Sequence, residues 1–476
     1  MADKKPFYLT TPIFYPNAKL HMGHAYTTTL SDILVRYRRL MGEDSYFLTG
    51  SDENTQKVVV AAQKAGKDTQ VFLDEIVENF KTLYKNLDIS YDQFIRTTDT
   101  EVHWPGAQLL WSKLVESGDI YQKEYEGLYC VGHEAFITEK ELVNGKCPDH
   151  DMAPTPIREI NYFFKLSKYT RKIKEKIESD EFKITPPSRR HEILTFLSEG
   201  LEDISFSRPR LATSVGVPVP GDINQVMYVW CDALSNYITA VGYGRDEEEF
   251  KRFWPAEVHV IGKDILRFHA AIWPAMLLSA GLPLPKSLLV HGFITSGGKK
   301  MSKTIGNVID PEELLAEYGT DAVRYFLARH ISPFEDGDLT REGFKDAYNA
   351  NLANGLGNLV ARITKLAEDN LSEGTRPAPE GFDKEYTDAI EKFEVNHALD
   401  YCFALVTALD EKITTEQPFK VVKSDPEKGR ELIKELTQEL YVIARMLNPF
   451  MPQTSQKIKE AIVANKKPDT LFPRKD

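Results

Sequence analysis

Long hydrophobic runs are missing from this chain. Its apolar stretches, such as the one from Val258 to Leu284, are interrupted by Lys263, Asp264, Arg267 and His269, so no segment reads as a membrane span. The opening residues, MADKKPFYLTTPIFYP, lack the basic region, apolar core and small-residue cleavage site of a secretion signal, and a cytoplasmic location is expected. Cysteine is scarce. The four present, Cys130, Cys147, Cys231 and Cys402, read as thiols or metal ligands rather than a disulfide framework. Positive charge is in deficit too: a net charge of -12 argues against a protein that coats nucleic acid non-specifically, because such binding rests on Lys and Arg neutralising phosphates. Two basic runs, Val35-Arg36-Tyr37-Arg38-Arg39 and Lys165 to Lys176, read either as local patches or as solvated helix faces. Internal repeats and low-complexity tracts are absent.

The 476 residues exceed one compact core and suggest about two to four domains, of which three are expected. Phe7 to Thr11 reads as a buried strand, His24 to Met41 as a helix stopped by Gly42, and Ser45 to Thr49 as a second strand. Strand, helix, strand opens a parallel α/β sheet, whose ligands bind at the carboxyl ends of the strands, and His21, His24 and Asp52 are expected at that edge. From about Gly118 to Pro220, short loops, a Cys/His cluster and a Lys/Glu-rich helix suggest an inserted domain. Strand signals return at Gln225 to Trp230, Glu257 to Ile261 and Ser287 to His291, and a helix opens at Asp264. Asp310-Pro311-Glu312-Glu313 has the cap, first-turn proline and acidic residues of a helix start, which Gly319 can end. Beyond Asn349 the chain reads as a helical bundle. Leu432, Leu436, Leu440 and Ile443 share one face, Ala398, Leu405 and Leu409 another, and Gly374 to Gly381 is a loop. The expected boundaries are 1–117 and 225–292 for the two halves of a catalytic α/β domain, 118–224 for the insertion, 293–345 for a connector around a lysine loop, and 346–476 for the bundle.

Two strings carry chemistry. Pro16-Asn17-Ala18-Lys19-Leu20-His21-Met22-Gly23-His24 sets two histidines around a glycine where a strand hands over to a helix. A helix start offers free N–H groups, a glycine lets a phosphate approach the backbone, and imidazoles can donate to charge developing on a phosphoryl group. Alone, such a string fits capping or core histidines as well. Downstream, Ser296-Gly297-Gly298-Lys299-Lys300-Met301-Ser302-Lys303-Thr304 is a glycine-led loop crowded with lysines, suited to a triphosphate whose leaving pyrophosphate must be neutralised. An exposed basic turn would look the same. Both strings in one chain, in this order and each beside a strand, favour the phosphate reading.

His21-Met22-Gly23-His24 and Lys300-Met301-Ser302-Lys303-Thr304 resemble the H-I-G-H and K-M-S-K-S signatures of the class I aminoacyl-tRNA synthetases, the second departing only at Thr304, which keeps the hydroxyl. The resemblance implies a Rossmann-type catalytic domain. Lys303 would contact the ATP phosphates, His21 and His24 would stabilise attack of an amino-acid carboxylate on the α-phosphate, Lys300 would assist, and Gly23, Gly262 and Asp264 would lie against the nucleotide. Lys300 follows His24 by only 276 positions, too few for the editing insertion of the members specific for isoleucine, leucine and valine. Three further strings resemble the methionyl-tRNA synthetases: Thr11-Pro12-Ile13-Phe14-Tyr15, Tyr228-Val229-Trp230-Cys231-Asp232-Ala233, and Ile261-Gly262-Lys263-Asp264-Ile265-Leu266-Arg267-Phe268-His269. Methionine has an unbranched, polarizable side chain that favours aromatic contacts, so Tyr15, Trp230 and Tyr237 with Ile13 and Ile265 make a suitable box, unless these residues are simply core, and the resemblance adds Pro12 and Ala233 to the methionine site. The resemblance puts Asp52 on the α-ammonium group and His269 beside the thioether. It also exposes a departure: where the family often reads D-E-H-G-Q, this chain reads Asp52-Glu53-Asn54-Thr55-Gln56.

Cys130-Val131-Gly132-His133 and Cys147-Pro148-Asp149-His150 are two C-x2-H pairs, able to close a tetrahedral structural zinc site in a peripheral insertion with little core, or else to remain unligated loop residues. Many methionine enzymes carry C-x2-C in the first pair, and His133 stands in its second ligand position. In the helical region the family's base-stacking tryptophan after a proline is matched by Pro418-Phe419. Asn351 and Asn354 fall where it places base-reading groups, although polar residues near a helix start also serve as caps. The expected reaction is methionine plus ATP to methionyl-adenylate and pyrophosphate, then transfer to the terminal ribose of tRNA(Met), with Mg²⁺ as phosphate counter-ion. A monomer without an appended domain is expected. The rival readings are a class I synthetase for another amino acid and a catalytically silent RNA-binding relative, which would have no need to keep His21, His24 and Lys303 together.

Overall fold

The computed structural model describes residues 6–130, 135–137, 139–148, 151–210, 215–301, 306–375 and 381–476. Two compact units emerge, one formed by Met1–Lys19, Ser45–Thr82 and Tyr91–Val290, the other by Leu20–Asp44, Leu83–Ser90 and His291–Asp476. The first is organised by a six-stranded sheet built from β1 (Phe7–Phe14), β2 (Ser45–Ser51), β3 (Gln93–Arg96), β4 (Lys183–Thr185), β5 (Val258–Gly262) and β6 (Ser287–His291), in the order β3-β2-β1-β5-β6-β4. The pairings with resolved register are parallel: Leu9 faces both Val258 and Phe47, Leu48 faces Gln93, and Leu288 faces Ile184. The central strands are short apolar runs because both faces of such a sheet are covered. Leu9, Phe47, Leu48, Val258, Val260, Leu288 and Leu289 are accordingly almost inaccessible.

The segment expected as an insertion holds a four-stranded antiparallel sheet in which Ile120–Cys130 pairs with Thr155–Phe164 over ten residues. The same stretch also supplies β4 to the edge of the parallel sheet. The strand expected at Gln225 to Trp230 is corrected: Asp222–Met227 forms an antiparallel strand with Ser207–Pro209, and helix α2 (Val229–Thr239) starts at once. The apolar run there belongs to a helix buried on nearly all sides, which periodicity does not separate from a strand.

In the second unit α1 (Met22–Leu40) replaces the expected 24–41 with a shift at each end, and Pro311–Tyr318 starts on the Asp310 side chain, which accepts from the Glu312 N–H at 2.8 Å, and ends at Gly319 with φ +85°. Its C-terminal part is helical. Val395–Glu416 buries Ala398, Leu399, Cys402, Phe403, Val406, Leu409 and Ile413, and Pro426–Leu447 buries Ile433, Leu436, Leu440 and Ile443, the stripes of amphipathic helices meeting in a bundle. Among the described residues no helix is long and apolar enough to cross a membrane.

Candidate active site

The first unit carries a cluster of aromatic and imidazole rings. Trp230, in the first turn of α2, stacks on Phe268 with centroids 3.8 Å apart and planes at 9°, and meets the His269 ring edge-on at 6.1 Å. Two turns along, Tyr237 bonds through its hydroxyl to His269 Nε2 at 2.7 Å, while His269 Nδ1 reaches the Ile265 carbonyl at 3.0 Å. A carbonyl only accepts, so Nδ1 carries the ring proton and Nε2 accepts from the phenol. Burial pushes the His269 pKa down to about 4, so the ring is neutral at physiological pH. Behind Tyr237 a second imidazole, His259, stacks at 4.3 Å, accepts from the Trp273 indole N–H at 3.2 Å and bonds through Nδ1 to Thr10 at 2.7 Å. Burial, with neighbouring His269 adding to it, holds His259 well below its usual range. Ile13, Tyr15, Trp230, Ile265 and Phe268 pack against the same core as Tyr237, Pro12 and Ala233 are buried, Gly262 ends β5, and exposed Asp264 lies just beyond it. Asp52 leaves the end of β2 buried, its N–H donating to the Phe14 carbonyl at 3.0 Å. The Tyr237 phenol is raised far above its ordinary value by burial and, to a smaller extent, by the Asp52 carboxylate. The imidazoles and phenol of this cluster are therefore neutral, and the Asp52 carboxylate is close enough to act on Tyr237.

His269 sits in a π-helical turn, Phe268–Ile272. Such turns insert an extra residue into a helix and recur at functional sites. Sequence reasoning missed Phe268 and His259. Phe268 is the immediate neighbour of His269 in the Ile261 to His269 motif, whereas His259 carries no local signal, since its partners are Thr10 and Trp273.

The second unit carries the signature residues. His21 is the N-cap of α1: its Nδ1 accepts from the Gly23 N–H at 3.0 Å, and His24 Nδ1 accepts from the His21 N–H at 3.0 Å. With Nδ1 accepting on both rings, each neutral imidazole carries its proton on Nε2, at a helix start already positive in potential. The rings lie 3.8 Å apart, and burial together with His21 depresses the His24 pKa well below its usual value. A Cβ at Gly23 would come within 2.9 Å of the His21 ring, so the cap itself favours glycine there.

Lys299–Lys300 pairs antiparallel with Ile294–Ser296 across Gly297 and Gly298, whose φ values of +62° and +70° suit glycine. Asp338 Oδ1 pins this turn, accepting from the Gly298 N–H at 2.8 Å and the Thr295 hydroxyl at 2.7 Å. Lys300 is exposed, its ammonium 5.4 Å from the centre of the Phe293 ring. Lys303 lies outside the described residues, as do His133 and His150. Their proposed co-ligands Cys130 and Cys147 are both buried in one small cluster with Ile137, and the Cys147 turn closes through bonds to Asp151 and Met152.

In the helical part Phe419 is 40% exposed on the short helix Pro418–Ser424, unlike a core phenylalanine. Asn351 and Asn354 lie in a second π-helical stretch, Tyr348–Gly357. The Asn351 amide is used within its helix, on the Ala347 carbonyl at 3.1 Å, whereas exposed Asn354 opens onto a cleft of about 420 Å³ shared with Asn358, Lys467 and Thr470.

Residues 7–155 and 150–364 match the family model for tRNA synthetases class I (M), which fixes the catalytic class. Residues 381–474 match the anticodon binding domain of methionyl tRNA ligase. A methionine–tRNA ligase from Clostridium acetobutylicum is 44% identical, covering 96% of this chain and 73% of its own length, and one from Rickettsia bellii is 41% identical over 96% and 93%. The solved Mycobacterium tuberculosis methionyl-tRNA synthetase in complex with methionyl-adenylate superposes with a TM-score of 0.90 at 36% identity, over 99% of this chain and 100% of that one. The chain belongs to the methionyl-tRNA synthetases, the class I methionine–tRNA ligases.

Proposed function

We propose that the box around Tyr237 and His269 holds the side chain of L-methionine while the chain activates the amino acid with ATP to methionyl-adenylate and passes it to the 3′-terminal adenosine of tRNA(Met). The carrying observation is the Trp230–Phe268–His269–Tyr237 constellation: a neutral imidazole held by a buried phenol, among stacked aromatic rings that suit a thioether. Asp52 receives the α-ammonium group. That leaves the methionine carboxylate to attack the α-phosphate, forming the mixed anhydride as pyrophosphate departs. His21 and His24 donate from Nε2 to the oxygens gaining charge, and Lys300 and Lys303 neutralise the leaving pyrophosphate, interactions that strengthen as the transition state forms. Gly23, Gly262 and Asp264 face the nucleotide, and Mg²⁺ accompanies its phosphates. The terminal ribose hydroxyl then attacks the anhydride carbonyl and AMP leaves.

The domain limits set out from the sequence serve this scheme, with 346–476 reading the anticodon through Phe419 and Asn354; Asn351, whose amide is spent inside its helix, is the weaker of the two asparagines. The buried cysteine pair fits a structural zinc completed by His133 and His150, which would tie down a peripheral knuckle. Metal analysis should find about one zinc per chain in the usual tetrahedral ligation. Zinc-free, normally folded protein prepared without chelators would remove it. The chain acts as a monomer. Amino-acid-dependent ATP–pyrophosphate exchange across all twenty amino acids tests the main reading: methionine alone should support exchange at low concentration, and a better substrate than methionine would overturn it.

A further inference from the structure

The three residues after β2 point to three different supports. Asp52 is tied by its backbone to Phe14. Glu53, fully buried, accepts from Ser51 at 2.6 Å, from Arg96 at 2.7 and 3.2 Å and from Thr98, and its N–H donates to Thr97. Asn54 sends its amide N–H groups to the Met227 carbonyl at 3.2 Å and to Asp232 Oδ2 at 2.7 Å. The other oxygen of Asp232 meets His103 Nε2 at 2.7 Å, and His103 Nδ1 meets Thr239 at 2.9 Å. Asp232, His103 and Thr239 are inaccessible to solvent. Asp232 and Thr239 are seven residues apart, two turns of α2 on one face, so a single imidazole clamps the helix along its length. Trp230, Ala233 and Tyr237 belong to the other face. A Cβ on Gly216 would come within 2.3 Å of the Asn54 amide, so the clamp has no spare room.

We propose that Asn54, Asp232 and His103 are positioning residues that lock α2 in register with the Asp52 carboxylate, and thereby set the affinity for methionine rather than the rate of the chemical step. This deepens the reading that the box binds methionine and rests on it. One short string then holds both ends of the amino acid: Asp52 takes the ammonium group, and Asn54, two residues on, fixes the helix whose rings enclose the side chain. The departure from the family's histidine falls at this joint.

The test is pyrophosphate exchange on Asn54→Ala, Asp232→Asn and the double variant Asn54→Asp/Asp232→Asn, with methionine KM, ATP KM, kcat and thermal midpoint all measured. Each single change should raise methionine KM about tenfold, the scale of a sub-ångström misplacement, with kcat and ATP KM within about twofold of the parent. The double variant reverses the hydrogen bond between the two side chains, since the amide at 232 donates to the carboxylate at 54 and still accepts from His103, but it loses the donor to the Met227 carbonyl; its methionine KM penalty should therefore be well below the product of the two single penalties, the signature of direct coupling. Unchanged methionine KM in the folded single variants, a joint fall of kcat and thermal midpoint without a KM effect, or multiplied penalties in the double would each overturn the proposal. If Asn54→Ala does not fold, His103→Gln takes its place under the same criteria. Trp230→Ala separates the two levels: if it raises methionine KM while Asn54→Ala does not, the clamp is wrong and the box stands, whereas unchanged KM in both removes the box.

Discussion

The Tyr237–His269 box and the His21–His24 turn both use paired aromatic side chains, and they use them in opposite ways. In the box each imidazole nitrogen is committed inside the protein: His269 lies between Tyr237 and Ile265, His259 between Trp273 and Thr10. In the signature turn Nδ1 of each ring accepts from a backbone N–H, which sets the ring's orientation and places its proton on Nε2, and His21 is exposed. Full commitment fixes shape and excludes charge, which a thioether needs. Rings oriented by their own helix turn would present donors that need no reorganisation if phosphate charge develops there. The contrast predicts that damage to the turn appears in rate and damage to the box in affinity.

The largest effect should come from the phosphate side. His21→Ala and Lys303→Ala should each slow adenylate formation by at least about 10²-fold with methionine binding almost unchanged, the pattern of a contact made only in the transition state. Pre-steady-state adenylate formation, read beside methionine KM, checks the split. Exchange at the parental rate in either variant would break the contrast. Gly23→Ala should act in the same direction through the His21 ring, by roughly tenfold, a displacement effect rather than loss of the group.

A smaller effect is expected in the box. Tyr237→Phe removes the hydroxyl that His269 Nε2 accepts from, and a buried acceptor left without its donor costs about 1 to 3 kcal/mol. Methionine KM should rise about tenfold, and the preference over norleucine, its aliphatic isostere, should shrink, with kcat changed little. The pH dependence has a definite sign. His269 titrates near 4 when folded and near 6.5 when unfolded, so the unfolded chain takes up the proton first. The stability linked to the neutral ring is full above about pH 6.5 and is lost as pH falls toward 4. Thermal midpoints across that window should fall less steeply in His269→Gln, and equal slopes would show that His269 contributes nothing.

What the sequence could and could not show follows the same division. The turn was readable because its parts are neighbours: two histidines, a glycine and a helix start. β1, β2, β5 and β6 were readable as short apolar runs. β3 and β4 were not, being edge strands of four and three residues, Gln93–Arg96 and Lys183–Thr185, whose pairing is non-local. Both π-helical stretches, around His269 and around Asn351 and Asn354, escaped as well. An extra residue in a turn shifts helical periodicity by one place and leaves no pattern of its own. His259, His103 and Asp232 contribute by contacts with residues more than a hundred positions away or on another element, which no window reveals.

The smallest expected effect lies farthest from the chemistry. Phe419 offers an exposed ring on Pro418–Ser424, in the place where the resembling enzymes carry a tryptophan, and stacking a base on such a ring contributes about 1 to 3 kcal/mol. A ring already 40% exposed has little core packing to lose, so Phe419→Ala should leave the thermal midpoint close to the parent. Amino-acid activation needs no anticodon, so pyrophosphate exchange should be unchanged while kcat/KM for tRNA(Met) charging falls about fivefold or more. Phe419→Trp enlarges the stacking face and should charge as well as the parent or better. The pair of measurements decides the role. A fall in exchange would mean that Phe419 supports the fold after all, and normal charging by the alanine variant would move base stacking to another residue, with Asn354 and its cleft next to be tested.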